Sequence, residues 1–66
     1  MAIVKVIEVL AESDTSWEDA TKIALVEASE TVRNIKSIYI KEFQATVENN
    51  KISTYRVNAK ISFEVE

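Results

Sequence analysis

The chain of 66 residues contains no cysteine, histidine, glycine or proline. Without cysteine it cannot form a disulfide, and without histidine as well it cannot build a structural zinc site of the usual kind. The lack of glycine excludes glycine-rich phosphate loops and nucleophile elbows, whose sharp backbone turns need that residue. Because no carboxylate pair stands at a recognisable spacing either, we expect a protein that is not an enzyme.

The chain also has few cations and no long apolar run. Eight Lys and Arg against eleven Asp and Glu give a net charge of -3 and a pI near 4.9. Binding to nucleic acid or to an anionic membrane surface needs clustered cations, and here they are scattered. No stretch approaches the roughly 18 apolar residues of a membrane span, and the first residues do not resemble a secretory signal. We therefore expect a cytoplasmic protein without nucleic-acid or membrane partners.

A chain of this length forms one domain, spanning residues 1–66, and buries only roughly 60% of its unfolded surface. Small domains of this kind are commonly stabilised by disulfides, by metals or by association of several copies. Composition excludes disulfides and a structural zinc site of the usual kind. We therefore expect a homo-oligomer.

The first half of the chain predicts a strand followed by a helix. Ile3 to Leu10 is rich in Val and Ile, which is typical of a strand covered on both faces. Thr15 and Glu18 have the spacing of a capping box, so a helix should begin near Thr15 or Ser16 and run for about five turns. Its cation-bearing last turn would contain Arg33, and Asn34 would take the left-handed cap. The apolar stripe of this helix is Ala20, Ile23, Ala24, Ala28, Thr31 and Val32.

The second half predicts a long hairpin, with strands over residues 35–48 and 51–65 and a type I′ turn at Asn49-Asn50. That turn pairs residues whose numbers sum to 99. One face would then be apolar and would pack against the helix, with Lys36 opposite Phe63, Ile38 opposite Ile61 and Ile40 opposite Ala59. The other face would pair Ser37 with Ser62, Tyr39 with Lys60, Lys41 with Asn58, Phe43 with Arg56, Ala45 with Thr54 and Val47 with Ile52.

A right-handed crossover from the first strand through the helix gives an α+β fold of order β-α-β-β, with a three-stranded antiparallel sheet in the order 1-3-2 wrapped on the helix. Strands of about 14 residues reach about 45 Å, whereas five helical turns cover about 27 Å. The hairpin should therefore extend beyond the helix. Its exposed tip, with Phe43, Val47, Ile52 and Tyr55, is expected to contact other subunits.

The sequence resembles the dodecin family over essentially its whole length. The resemblance lies in the strand from Val4 to Val9, in Ser13 with Thr15-Ser16-Trp17-Glu18, in the stretch from Thr31 to Ile35, in Thr54-Tyr55-Arg56-Val57, and in Ile61-Ser62-Phe63. It implies a hollow homododecamer built from trimers, which binds and stores flavin without catalysis. In the family, the flavin ring is held by a Trp near the start of the second strand and by a Gln that follows the Tyr of the third.

This chain has Ser37 where that Trp would stand and Arg56 in place of the Gln. Two flavin contacts are thereby changed, and binding of the ring should be weakened because an aromatic platform contributes about 1 to 3 kcal/mol per stacked base. The chain is similar instead to the branch of dodecins that lacks the Trp and carries Arg, for which binding of calcium or other ions has been proposed. Ser37 and Arg56 lie about six residues apart along the hairpin, so they could reach one small ring only across a subunit interface.

The candidate ligand-binding residues are therefore Ser37, Tyr39, Phe43 and Arg56. The two aromatic side chains either replace the missing Trp as a platform or simply pack in an interface. Arg56 either binds a ligand, through a phosphate or by stacking on a flat ring, or pairs with a carboxylate such as Glu42 of a neighbouring subunit.

Two further features have alternative interpretations. Asp14 and Glu18, within an acidic cluster, are candidate ligands for a metal ion such as calcium, although acidic residues also favour a helix N-terminus without any ion. Trp17 is expected to close the core or a subunit contact rather than to stack on a ligand. A purely structural oligomer without any ligand is the second functional hypothesis.

Overall fold

The computed structural model of the protein describes residues 3–65. Its elements, in chain order, are strand β1 (Ile3–Ser13), helix α1 (Trp17–Ser29), strand β2 (Ile35–Glu48) and strand β3 (Lys51–Val65). The strands form one antiparallel sheet in the order β1-β3-β2, which confirms the predicted α+β fold and its topology. β1 continues three residues beyond the predicted Leu10, because Ala11, Glu12 and Ser13 are still paired with β3.

The predicted start of helix α1 near Thr15 or Ser16 is confirmed, although the cap lies one residue later than the predicted capping box. Ser16 is the N-cap, and its hydroxyl accepts a hydrogen bond from the Asp19 backbone N–H at 3.0 Å. The helix spans 13 residues and is shorter than the predicted five turns, because the N–H groups of Glu30 and Thr31 bond three residues back and tighten the last turn. Its last turn contains no cation, so the role predicted for Arg33 is wrong.

Asparagines supply the positive backbone angles of both turns beyond the helix. Asn34 has a φ of 60°, but it precedes β2 instead of capping the helix, and its carbonyl accepts from the Glu64 N–H at 3.1 Å. Asn49 and Asn50 have φ angles of 51° and 64°, as a type I′ hairpin turn requires. The hairpin turn predicted from sequence is therefore confirmed.

The register of the hairpin follows the prediction only in part. Ser37 to Ile40 pair as expected, and so do Val47 and Ile52. An irregularity between Ile35 and Ser37 makes Ile35, and not Lys36, the partner of Phe63. Two further irregularities skip Ser53 in β3 and Lys41 in β2, so the pairing between them is shifted by one residue from the predicted one. The pairs actually formed there are Glu42 with Asn58, Phe43 with Val57, Gln44 with Arg56, Ala45 with Tyr55 and Thr46 with Thr54.

The core lies between α1 and the central strand, and its small side chains let the helix approach the sheet closely. Val57, Ala59 and Ile61 of β3 are fully buried beneath the helix. The buried helix residues are all alanine, namely Ala20, Ala24 and Ala28. The sheet extends well beyond this small core, since the molecule measures 51 × 19 × 13 Å and Val47 and Ile52 at the hairpin tip are exposed. Within residues 3–65, no helix is long and apolar enough to cross a membrane.

Candidate ligand-binding face

The side of the sheet that faces away from α1 is termed the open face. It consists of the even-numbered residues of β3 from Thr54 to Glu64, together with their partners in β1 and β2, because side chains alternate between the two faces of a strand. No element among residues 3–65 covers this face. It displays the ion pairs of the sheet. It also displays several exposed apolar side chains, which are Val4, Val6, Leu10 and Tyr39.

A group of four polar side chains, the Arg56 cluster, joins all three strands on the open face. Arg56 Nε donates to Glu12 Oε1 at 2.9 Å, and the Thr54 hydroxyl donates to the same oxygen at 2.9 Å. The Thr54 hydroxyl also contacts that of Thr46 in β2. The hydrogen bond from Arg56, with a further one from Thr54, lowers the pKa of the Glu12 carboxyl below its ordinary value. Glu12 is therefore ionised at neutral pH.

Ser37 and Tyr39 lie on the open face toward the other end of β2. The Ser37 hydroxyl forms a hydrogen bond with that of Ser62, its cross-strand partner. Tyr39 lies opposite Lys60 and is largely exposed. Arg56 is on the same face as Ser37 but six residues of β3 from Ser62, a separation of about 20 Å at the rise of a strand. Within one subunit, the two residues cannot contact the same small ring.

Phe43 lies on the opposite side of the sheet from the position predicted for it. Because the pairing is shifted between Lys41 and Ser53, Phe43 pairs with buried Val57 and not with Arg56. Phe43 is 63% exposed and packs edge-to-face with Trp17, at 6.0 Å between ring centroids. Phe43 and Tyr39 therefore cannot form one aromatic platform within a subunit.

Trp17 fixes the start of the helix against the hairpin. Its indole N–H donates to the Gln44 carbonyl at 2.9 Å, and its ring packs edge-to-face with Tyr55 at 4.9 Å. These contacts occupy both the polar edge and part of the ring. Within the subunit, Trp17 joins helix to sheet, which is the role expected for it.

The two candidate metal ligands do not converge with a third. Glu18 pairs with Lys22 along the helix at 3.7 Å, and Asp14 accepts a long contact of 3.4 Å from the Thr15 hydroxyl. Neighbouring Asp19 accepts from the Ser13 hydroxyl at 2.7 Å. Residues 3–65 contain no group of three acidic side chains arranged to hold a metal ion. A site formed by Asp14 or Glu18 would need ligands from another subunit.

The Arg56 cluster escapes prediction because the apolar pattern of the first strand stops at Leu10. The sequence suggests pairing of Arg56 with a carboxylate such as Glu42 of a neighbour, but its partner is Glu12 of the same chain. The signal that could have found this pair in the sequence is the register of β1 with β3. Extending the pair Val9–Ala59 by three residues places Glu12 beside Arg56.

The sequence matches the family model described as Dodecin over residues 3–66. The chain belongs to the dodecin family. This dodecin is 32% identical over 65 residues to the calcium dodecin of Mycobacterium tuberculosis, and the match covers 98% of this chain and 92% of that relative. The predicted family membership is thus confirmed.

Solved structures of dodecins share the fold. The crystal structure of the calcium dodecin of M. tuberculosis, described as calcium chelating with a novel calcium-binding site, gives a TM-score of 0.85 at 34% identity and covers 97% of this chain and 91% of that chain. A variant of the Thermus thermophilus dodecin gives a TM-score of 0.95 at 26% identity, and the match covers 100% of this chain and 98% of that chain. The dodecin of Streptomyces coelicolor gives a TM-score of 0.95 at 23% identity, and the match covers 98% of this chain and 93% of that chain. At this level of identity the likeness shows the fold alone.

Proposed function

We propose that this dodecin is a non-enzymatic binding protein that assembles into a hollow shell of twelve copies, with trimers as building blocks, and stores a small ligand between subunits. The observation that carries the proposal is the uncovered open face. One subunit buries a core made largely of alanine, yet leaves large apolar side chains exposed on this face and at the hairpin tip. Contacts between copies would bury that surface and enclose ligand sites between facing sheets.

Flavin is retained as a ligand in this proposal, with weakened binding. Ser37 offers no aromatic surface, and its hydroxyl is already bonded to that of Ser62. Tyr39 is the aromatic side chain of the open face that is exposed for stacking, since Phe43 lies on the other side of the sheet. A lost stacking platform corresponds to about 1 to 3 kcal/mol of binding free energy.

A second candidate function is cation storage. It is supported by the 32% sequence identity of this chain to the calcium dodecin of M. tuberculosis. Calcium is bound by six to eight oxygen atoms, more than Asp14 and Glu18 of one subunit provide. The acidic segments of two or three subunits would have to meet, as equivalent segments can around a symmetry axis of an oligomer. Shell assembly is therefore common to both candidates.

Light scattering and ligand titration of the purified protein test the proposal. We expect a particle of twelve subunits at micromolar concentration, and partial quenching of riboflavin fluorescence with weak affinity. Calorimetry with calcium should show binding that is lost in Asp14→Asn/Glu18→Gln if the cation candidate is correct. A monomer at micromolar concentration would contradict the proposal, and a dodecamer that binds neither probe would leave a purely structural oligomer.

A further inference from the structure

Arg56 uses only part of its hydrogen-bonding capacity. A guanidinium group has five N–H donors in a planar arrangement. Within residues 3–65, the hydrogen bond of this group is the one from Nε to Glu12. The four N–H donors of its two terminal nitrogens therefore have no partner in that part of the chain, and the side chain retains 36% of its accessible surface.

The position of the guanidinium group is fixed by the rest of the Arg56 cluster. Glu12 Oε1 accepts both from Arg56 Nε and from the Thr54 hydroxyl, and Thr54 in turn contacts Thr46. These contacts connect the three strands, so the arginine is held before any ligand arrives. Such preorganisation lowers the entropic cost of binding because fewer rotamers have to be frozen.

The surroundings of Arg56 provide further donors. Gln44 is its direct partner in β2, so an exposed side-chain amide lies on the same row of the open face. Lys60 lies four residues away on the same face of β3, and it makes no ion pair within residues 3–65. The Gln44 amide can donate a hydrogen bond to an anionic group bound at the terminal nitrogens, and Lys60 adds a positive charge about 13 Å away along the strand.

The local charge also favours this place over the rest of the surface. The open face balances its carboxylates with cations, since Lys36 pairs with Glu64 at 3.2 Å and Lys41 with Glu8 at 3.7 Å. The segment from Asp14 to Glu30 is strongly acidic by contrast, with Lys22 as its only cation. An anion approaching this acidic protein therefore meets less repulsion at the open face than at that segment.

We propose that Arg56, held through Nε by a Glu12 carboxylate that Thr54 also binds, is an oxyanion-binding fork whose terminal nitrogens take a phosphate or carboxylate group of the stored small molecule. Two parallel N–H···O bonds from one guanidinium match the geometry of either group. The inference rests on the proposed function, because it names the ligand class of the same open face. A flavin that carries a phosphate would then be bound more tightly than one that does not.

The inference is tested with orthophosphate and with acetate, titrated separately into the assembled protein by calorimetry at constant ionic strength set with chloride. We expect saturable binding of at least one of these anions, with an affinity at least about tenfold lower in Arg56→Gln, because that variant loses the charge-assisted hydrogen bonds of the fork. Arg56→Lys keeps the charge without the fork and should also lose most of the affinity. Arg33→Gln, which removes an exposed cation beyond the helix, is the matched control and should bind like the wild type.

The absence of saturable binding for both anions, or equal binding by the wild type and Arg56→Gln, would overturn the inference. Binding by Arg56→Lys as tight as that of the wild type would overturn it as well, because a point charge would then be sufficient. Light scattering of each variant shows whether the shell is intact. Failure of the fork with an intact, riboflavin-binding shell would leave the proposed function standing, whereas loss of the shell in the wild type would contradict the proposed function itself.

Discussion

The two faces of the sheet differ in how their residues are used. The helix face is closed by small apolar side chains, with Val57, Ala59 and Ile61 fully buried beneath the alanines of α1. The open face, formed by the alternate residues of the same strand, carries hydroxyl pairs and ion pairs that are partly exposed. One strand thus provides stability on one side and hydrogen-bonding groups on the other. Substitutions on the open face should therefore leave the core intact.

Two extra residues decide which side chains of the hairpin belong to each face. Lys41 in β2 and Ser53 in β3 are skipped in the pairing of these strands, so the segment between them departs from the register that the turn alone gives. Phe43 consequently packs with Trp17 at the helix start, and Lys41 reaches across the central strand to Glu8. The shift moves an aromatic side chain off the open face, and the extra lysine adds a cation to it.

The largest expected effect comes from a cavity on the helix face. Ile61→Ala should lower the free energy of unfolding by about 2 to 5 kcal/mol, because Ile61 is completely buried and the helix cannot collapse fully onto the space. Lys60→Ala, next to it but on the open face, should change that free energy by no more than about 0.5 kcal/mol. Denaturant unfolding at one fixed protein concentration measures both. Equal losses would show that the two faces contribute alike to stability.

The next effect concerns binding on the open face. Ser37→Trp should raise riboflavin affinity by at least about tenfold, since a restored stack of about 1.4 kcal/mol corresponds to that factor. Fluorescence quenching of riboflavin measures the affinity, and Ser37→Ala serves as the control, because it removes the hydroxyl bond to Ser62 without adding a ring. No gain in the Trp variant would mean that the assembled interface leaves no room for a flavin.

The fold was predictable because its signals are local. Val and Ile mark the strands, the alanine stripe marks the helix, and Asn49-Asn50 marks the hairpin turn, so topology followed from the handedness of the crossover. The irregularities at Lys41 and Ser53 were not predictable, since the chain has no glycine to signal a bulge at either place. The predicted position of Phe43 was wrong for that reason.

The candidate site was accessible from sequence only in part. The pairs of Ser37 with Ser62 and of Tyr39 with Lys60 follow from the hairpin turn, because the two extra residues lie on opposite strands and their shifts cancel. The Arg56 cluster depends on the pairing of β1 with β3, whose bonded partners Glu12 and Arg56 are 44 residues apart in the chain. No local pattern fixes such a register, so Glu12 could not be assigned to Arg56 from its neighbours in sequence.

A smaller effect is expected where helix and hairpin meet at Trp17. Trp17→Phe keeps an aromatic ring at the helix start but removes the indole N–H that donates to the Gln44 carbonyl. We expect a loss of about 0.5 to 1.5 kcal/mol in the free energy of unfolding, the usual contribution of one hydrogen bond. Thermal unfolding followed by circular dichroism measures it. A loss as large as that of Ile61→Ala would indicate that Trp17 also supports contacts between subunits.

The smallest effect is the pH dependence of the Arg56 cluster. Hydrogen bonds from Arg56 and Thr54 lower the pKa of the Glu12 carboxyl in the folded protein. The resulting stabilisation is present above the ordinary pKa of a glutamic acid and is lost as the pH falls through the lower, folded value. The side chain of Arg56 is 36% exposed and that of Glu12 48%, so solvent screens the pair and the effect should be small.

Comparing the unfolding temperature of the wild type and Glu12→Gln at neutral pH and at about pH 3 isolates this contribution. The wild type should be the more stable protein at neutral pH, and the difference should shrink on acidification because protonated Glu12 no longer attracts Arg56. Glu30→Gln makes the same change of charge at the end of the helix, without an ion pair among residues 3–65, and should show no such convergence. A difference that persists at low pH would mean that Glu12 supports the open face by shape and not by charge.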